Sequence, residues 1–421
     1  MTLEKEIVSL GIESTAHTFG IGIATSKGKI LANVRKIYRP LKGGIHPREA
    51  AEFFSQVAVE VLDKAFKKAS INPSEIDVIA VALGPGLGPC LRIGATVART
   101  LSLELSKPLV PVNHGVAHIE IGRILTGLTD PLVVYISGGN TLIATYVEGR
   151  YRILGETLDI ALGNCLDTFA RETGLGFPGG PILDKIYERR GEFIELPYTV
   201  KGMNLSFAGI LTAALRLVNN GYKLENVAYS LVETTYSMIA EVTERALVLT
   251  KKNEILLVGG VAASKPLREK LETVARIHKV IFKPVPLEYS GDNGAMIAIT
   301  GALAYLHGIS IDIEKSYILP KWRIDEVDVP WFYYLNKILP LKVQKYRKRK
   351  KEAIMGAEAI ISETSWFNIP AIKKKRIPKK YRSPLLDKKI RQKRTIREAK
   401  ILYYAAKLDV PVPALFDVDP E

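Results

Sequence analysis

Up to about residue 325, short runs of apolar and β-branched residues alternate with longer stretches in which apolar positions recur three and four apart. That is the pattern of strands interleaved with helices in an α/β protein. Two segments share one layout. Residues 7–15 (I-V-S-L-G-I-E-S-T) lead into 20–24 (G-I-G-I-A), and residues 132–141 (L-V-V-Y-I-S-G-G-N-T) lead into 142–146 (L-I-A-T-Y). Each reads as an apolar strand, a turn of small polar residues and a second strand, a hairpin whose turn amides face phosphate oxygens. Their separation of roughly 125 residues suggests two related halves with a ligand cleft between them, a looser relation than a solenoid period.

A third glycine element, residues 255–264 (I-L-L-V-G-G-V-A-A-S), reads as a buried strand ending in a Gly-Gly turn before a helix-like stretch, K-P-L-R-E-K-L. Glycines there let the backbone approach a base or ribose, and the helix N-terminus adds a favourable dipole. The three turns together point to the two-lobed ATPase architecture of actin, sugar kinases and heat-shock proteins over residues 1–325. After Trp322 the composition turns aromatic and basic, giving an expected basic linker at 326–352, and 353–421 again reads as globular, with a helical segment at 385–408.

Charge sharpens this division. Residues 330–421 hold 23 Lys+Arg against 9 Asp+Glu, so the formal net charge of +15 belongs almost wholly to the tail. Clusters such as Lys345 to Lys351 and Lys373 to Arg376 are suited to phosphates, with salt-sensitive and sequence-blind affinity. Two cysteines, Cys90 and Cys165, are not spaced as a zinc or redox pair and read as buried thiols. No apolar stretch of signal-peptide or membrane-span length occurs, so a cytoplasmic protein without a membrane partner is expected. Scarce Gln, Cys and Met beside abundant Ile, Lys and Glu fit a thermophile.

Candidate chemistry centres on His114 and His118 in V-N-H-G-V-A-H-I-E and on Asp292 in S-G-D-N-G-A. Positions i and i+4 of a helix share a face, so both imidazoles can meet one divalent ion while a distant turn supplies an oxygen. Position 115 is Gly, so the glutamate a metalloprotease uses as general base is missing.

Longer motifs then become specific: G-G-I-H-P-R-E-A-A at 43–51, L-G-P-G-L-G-P-C-L-R at 83–92, V-N-H-G-V-A-H at 112–118, S-G-G-N-T at 137–141, the stretch 156–167 from E-T-L-D-I-A to Asp167, N-L-S-F at 204–207 and G-D-N-G-A at 291–295. On these the chain resembles, over nearly all of residues 5–322, the catalytic subunit of the KEOPS complex, the relative of bacterial TsaD. The resemblance implies transfer of a threonylcarbamoyl group from threonylcarbamoyl-AMP to N6 of the adenosine beside the anticodon in tRNAs that read A-starting codons. It implies iron or zinc on His114, His118 and Asp292 with Tyr135 at or near the ion; the turn amides around Ser137, Gly138 and Gly139 are expected to hold phosphate. Asp167, Gly180, Asp184 and Ser264 fall at nucleotide contacts, for ATP or an adenylate. The implied partners are tRNA and the KEOPS subunits: a small dimerising subunit, a kinase/ATPase and a tRNA-binding subunit.

Four positions depart from the family pattern. Phe53 and Phe54 stand where paired histidines are usual, Ser264 where Asn is usual and Asp184 where Glu is usual, which raises a catalytically weakened scaffold as the alternative. A small-molecule phosphotransferase of the same architecture is disfavoured by the His-His-Asp set. The tail resembles the N-terminal lobe of the KEOPS atypical kinase, a partial kinase-like α+β domain at 353–421. Lys374, with Lys373 close behind, would be its phosphate-binding strand lysine and Glu398 the helix partner. Residues 353–421 contain no catalytic-loop aspartate or Asp-Phe-Gly equivalent, so phosphotransfer by this chain alone is not expected, and Mg enters only where that lobe is completed.

Overall fold

A computed structural model describes residues 6–40, 44–338, 354–367 and 369–420. The chain begins with β1 (Val8–Glu13), β2 (Thr18–Thr25), β3 (Ile30–Ile37), α1 (Pro47–Ala69), β4 (Val78–Gly84), α2 (Gly88–Glu104), β5 (Leu109–Asn113) and α3 (His114–Thr126). It continues with β6 (Leu132–Ile136), β7 (Thr141–Val147), β8 (Arg150–Glu156), α4 (Leu162–Glu172), α5 (Gly179–Glu188), β9 (Val200–Lys201), β10 (Asn204–Leu205), α6 (Ala208–Asn219) and α7 (Leu224–Thr250). Then follow β11 (Glu254–Val258), α8 (Lys265–His278), β12 (Ile281–Pro284), α9 (Gly294–Leu306), α10 (Phe332–Ile338), β13 (Ile354–Met355), β14 (Ala359–Trp366), β15 (Ile369–Arg376) and α11 (Pro384–Lys407).

These elements form two compact units. The first takes in the residues up to Asn164, Lys252–Ser264 and those from Val280 to 338; the second takes in Cys165–Lys251, Lys265–Lys279 and the C-terminal residues from 354. The first unit holds two five-stranded sheets of one plan, β3-β2-β1-β4-β5 and β12-β11-β6-β7-β8. In each, three antiparallel strands in meander order are extended by two parallel strands. The two hairpins legible in the sequence are β1–β2 and β6–β7, and they occupy equivalent places. β4 and β6 are buried at every position, as expected of central strands covered on both faces.

The aromatic stretch after Trp322 departs from the expected linker. Trp331, Phe332 and Leu335 are buried, the Phe332 ring stacks on Tyr146 at 3.6 Å, and the Arg123 guanidinium lies 3.7 Å over the same ring. Aromatic burial with a cation–π contact makes 331–335 a packed part of the first unit. The remainder of the linker, including Lys345 to Lys351, lies outside the described residues, as does Gly43 of the G-G-I-H-P-R motif.

The second unit is organised by α7, a 27-residue helix buried along most of its length. Glu233, Glu241 and Glu244 are almost wholly buried on it, and eight- and three-residue steps keep them on one face. Their partners come largely from residues 379–394. Lys270 Nζ meets Glu233 at 2.8 Å and the Ser383 amide donates to the same carboxylate at 2.6 Å. Arg382 pairs with Glu241, joined by Arg394 at 2.7 Å and the Tyr198 hydroxyl at 2.7 Å. Lys379 Nζ and His278 both reach Glu244 at 2.8 Å, and the Tyr381 hydroxyl donates to it at 2.9 Å. The tail is therefore joined to α7 by buried charge.

Burial alone would raise the Glu241 carboxyl, but Arg382, Arg394 and Arg245 outweigh it and hold it below the usual range; Glu244 is lowered likewise by His278 and Lys379. Such depressed carboxylates contribute stability that is fully present above their ordinary value of 4.5 and is lost as pH falls through the lower folded values. Removing one partner of a buried pair strands the other, at about 3–5 kcal/mol. Arg382→Ala is expected to lower unfolding free energy by about that amount at neutral pH, and to flatten the loss of stability below pH 4.5, as followed by denaturant titrations at several pH values.

Candidate metal centre

β5 hands the chain to α3 at Asn113, whose side-chain oxygen accepts from the Val116 amide at 3.1 Å while its Nδ2 donates to the Trp322 carbonyl at 3.0 Å. The cap satisfies an orphan amide and fixes where the helix begins. His114 and His118 thus stand one turn apart on one face, their rings edge to face with centroids 4.7 Å apart.

Asp292 comes from the turn before α9, whose first amides are capped by Asn293, accepting from Met296 at 3.0 Å. α9 lies backbone to backbone against β1 and β2. A Cβ on Gly22 would sit 2.1 Å from the Ala295 nitrogen, and one on Gly294 2.1 Å from the Gly22 nitrogen. Only glycine permits that approach, so this seam sets how close Asp292 comes to α3. Arg35 steadies the turn by donating to the Asp292 carbonyl at 2.9 Å.

Asp292 Oδ1 lies 3.5 Å from His114 Nε2 and 3.3 Å from His118 Nε2. One ligand atom from each of the three residues lies within 4.8 Å of the others, and both histidines are buried. Behind them, Glu13 at the end of β1 is fully buried, with Oε2 2.9 Å from His114 Nδ1 and Oε1 accepting from the Thr15 amide at 2.7 Å. His17 Nδ1 stands 4.0 Å from Asp292 Oδ2, and the Tyr135 ring lies 5.3 Å from that of His118. Burial opposes charge on His114, yet Glu13 and Asp292 outweigh it and push the imidazole up to about 9. His118 is lowered, chiefly by burial. Burial would raise the Asp292 carboxyl, but His114 and the hydrogen bond from His118 hold it well below its usual range. Tyr135 is raised, first by burial and then by Asp292, which keeps its hydroxyl protonated. Two imidazole nitrogens and a carboxylate oxygen, converging in a buried place from separate elements, fit a borderline divalent ion such as iron or zinc.

The remaining candidates divide between the two units. In the first unit, the Ser137 amide donates to the Asn140 carbonyl at 2.8 Å, so it is committed to the hairpin rather than to phosphate. Gly138 and Gly139 stand open, with nothing within 4 Å of a Cβ built on either. Ser264 is buried, its amide donating to the Val261 carbonyl at 3.0 Å. Phe54 is buried and packs on Phe19, with ring centroids 5.6 Å apart, while the half-buried Phe53 packs on Tyr38, so both residues at the departed histidine positions serve as packing aromatics.

In the second unit, Asp167 accepts from the Gly179 amide at 2.7 Å at the start of α5, Gly180 follows with open space around it, and Asp184 accepts from the Tyr236 hydroxyl at 2.9 Å. Lys374 meets Glu398 at 2.5 Å, and Arg376 reaches the same carboxylate; among the described residues no ion pair involves Lys373. Sequence reading passed over Glu13, His17 and the two Asn caps. A charged residue closing an apolar strand, and Asn directly before an apolar-periodic helix, were the available signals.

A family model described as "TsaD: tRNA N6-adenosine threonylcarbamoyltransferase" matches residues 29–299. The chain belongs to the TsaD family. A TsaD-family relative from Thermofilum pendens, named tRNA N6-adenosine threonylcarbamoyltransferase, is 59% identical over 323 residues, covering 76% of this chain and 96% of its own. A protein of Methanothermobacter thermautotrophicus, named as a probable bifunctional tRNA threonylcarbamoyladenosine biosynthesis protein, is 48% identical over 415 residues, covering 99% of this chain and 76% of its own. That second match takes in the tail as well. Among solved structures, T. kodakarensis HypF aligns with a TM-score of 0.52 at 17% identity, over 73% of this chain and 49% of that one, a likeness of fold alone. The TsaD-family chain thus has an α/β ATPase-like fold. Among the described residues no helix is long and apolar enough to cross a membrane.

Because the glycine seam has no room for a methyl group, Gly22→Ala is expected to cost about 1–3 kcal/mol of stability by overpacking. It is also expected to separate Asp292 from the histidines, visible as a longer Oδ1 to Nε2 distance in a crystal structure of the variant.

Proposed function

We propose that this chain transfers the threonylcarbamoyl group of threonylcarbamoyl-AMP to N6 of the adenosine beside the anticodon in tRNAs reading A-starting codons. The observation that carries the reading is Asp292 Oδ1 set between two imidazole Nε2 atoms, 3.5 and 3.3 Å away, in a chain of the TsaD family. The donor is an activated mixed anhydride. N6 attacks its carbamoyl carbon, the carbon–oxygen bond to phosphate breaks, AMP leaves with the electron pair, and N6 gives up a proton. Such chemistry asks for positioning and charge neutralisation more than covalent help.

His114, His118 and Asp292 would hold the ion, with Tyr135 beside them. A divalent ion held there supplies Lewis acidity and an anchoring point for oxygens of the threonylcarbamoyl group. Tyr135, kept protonated, supplies a hydroxyl at the edge of the site, and the open space around Gly138 and Gly139 lets phosphate oxygens approach that turn closely. Asp167, Gly180, Asp184 and Ser264 are assigned to nucleotide contacts on the motif match. The carboxylates of Asp167 and Asp184 also serve α5 and Tyr236 within their own unit.

The reading extends to a cytoplasmic protein that works on tRNA with the KEOPS subunits: a small dimerising subunit, a kinase/ATPase and a tRNA-binding subunit. The tail is read as a kinase-like N-lobe, with Lys374 placed for phosphate and Glu398 as its partner. Its support is the 2.5 Å pair itself and the alignment of the bifunctional relative across 99% of the chain.

The test supplies this protein as the only transferase to a reconstituted system with threonylcarbamoyl-AMP and tRNA, and detects threonylcarbamoyladenosine by mass spectrometry. Wild type is expected to form the modified nucleoside. His118→Ala is expected to lose bound metal and to slow formation by at least about 100-fold, since removing a ligand forfeits several kcal/mol of charge stabilisation. Unchanged formation by a metal-stripped His118→Ala protein would contradict the reading.

A further inference from the structure

We propose that Glu13 is a positioning residue of the metal centre, acting through His114 to set how tightly the ion is held. The inference rests on the metal reading above and adds a residue that neither the H-x-x-x-H pattern nor Asp292 implies.

Glu13 closes β1 and has no exposed surface. A carboxylate in such a place is costly unless its oxygens are fully employed. Oε1 accepts from the Thr15 amide at 2.7 Å and from the Thr15 hydroxyl at 2.5 Å, which pins the carboxyl group at the β1–β2 turn. Oε2 is left to face His114 Nδ1 at 2.9 Å. Among the described residues no lysine or arginine pairs with Glu13, so His114 is the one basic group it meets.

Two consequences follow for His114. With Nδ1–H donating to Glu13, Nε2 is the nitrogen that faces Asp292, so the ring's orientation, and the nitrogen that would offer its lone pair once a bound ion displaces the proton there, are set before any ion arrives. A carboxylate behind an imidazole also makes the far nitrogen a stronger donor. The two histidines differ in this respect. His118 Nδ1 is buried and has no hydrogen-bond partner among the described residues, so Glu13 is the only anionic support that either ligand receives from behind. Charge agrees with this role: with a divalent ion displacing the protons of Nε2, the carboxylates of Glu13 and Asp292 would balance its two positive charges between two neutral imidazoles.

The alternative is that Glu13 merely ties the hairpin turn through Thr15. Metal affinity separates the two. Zinc binding to the full-length protein would be measured by competition with a chromophoric chelator, and cobalt(II) spectra would be recorded for wild type, Glu13→Gln and Glu13→Ala, with thermal unfolding of the metal-free forms as the check on folding. Glu13→Ala is expected to bind zinc about 10–100-fold more weakly, the range for lost outer-shell partners, and to show shifted cobalt visible bands. Glu13→Gln can still accept from Nδ1–H but brings no charge, so it is expected to fall between Ala and wild type. A folded Glu13→Ala protein with wild-type zinc affinity and an unchanged cobalt spectrum would overturn the proposal. If Glu13→Ala does not fold, Glu13→Gln decides alone, and wild-type behaviour there would overturn it equally. Failure of wild type to bind zinc or cobalt at all would instead overturn the metal reading on which this inference rests.

Discussion

The close approach of α9 to β1 and β2 is the constraint on which the rest of the site depends. Where Gly22 and Gly294 meet there is no room for a side chain, and the helix comes near enough for Asp292, two residues before its first turn, to reach the histidine face of α3. The opposing partners are prepared in the same manner. Asn113 and Asn293 each cap a helix one residue from a candidate ligand, their side-chain oxygens accepting from helix amides, so the positions of His114 and Asp292 are tied to the helix starts. A site set by backbone contact and caps is held on rigid elements, which is what tight convergence of three ligands requires.

Electrostatics divides labour between the two units. The first buries Glu13 and Asp292 around two imidazoles, an arrangement suited to a cation. The second buries three carboxylates on one face of α7 and answers them with its own basic side chains, many from the tail. Tail residues Lys379, Arg382 and Arg394 are consumed in that packing, whereas Lys373, Lys375, Lys380 and Arg397 remain exposed. The +14 of the C-terminal stretch is therefore partly structural.

Much of this was legible in the residues. The two hairpins, the strand before Gly259 and Gly260, the i, i+4 histidines and the helix near 385–408 follow from period-two and period-3.6 patterning, which local side-chain chemistry dictates. What was hidden depends on long-range packing. Glu13 lies 101 positions from His114, and nothing local marks it beyond a charge ending an apolar strand. The aromatic stretch 331–335 looked like linker because its partners, Tyr146 and Arg123, are far away in sequence. The Ser137 amide seemed available for phosphate because the commitment of a turn amide to its own hairpin depends on the turn's backbone angles rather than on residue identity.

The central claim is that two imidazoles and one remote carboxylate hold a single ion. X-ray absorption at the iron and zinc edges, combined with anomalous diffraction from crystals of the purified protein, tests it most directly. The account predicts one ion per chain, bonded to His114 Nε2, His118 Nε2 and an oxygen of Asp292. An ion bound elsewhere while these three side chains remain uncoordinated would contradict it.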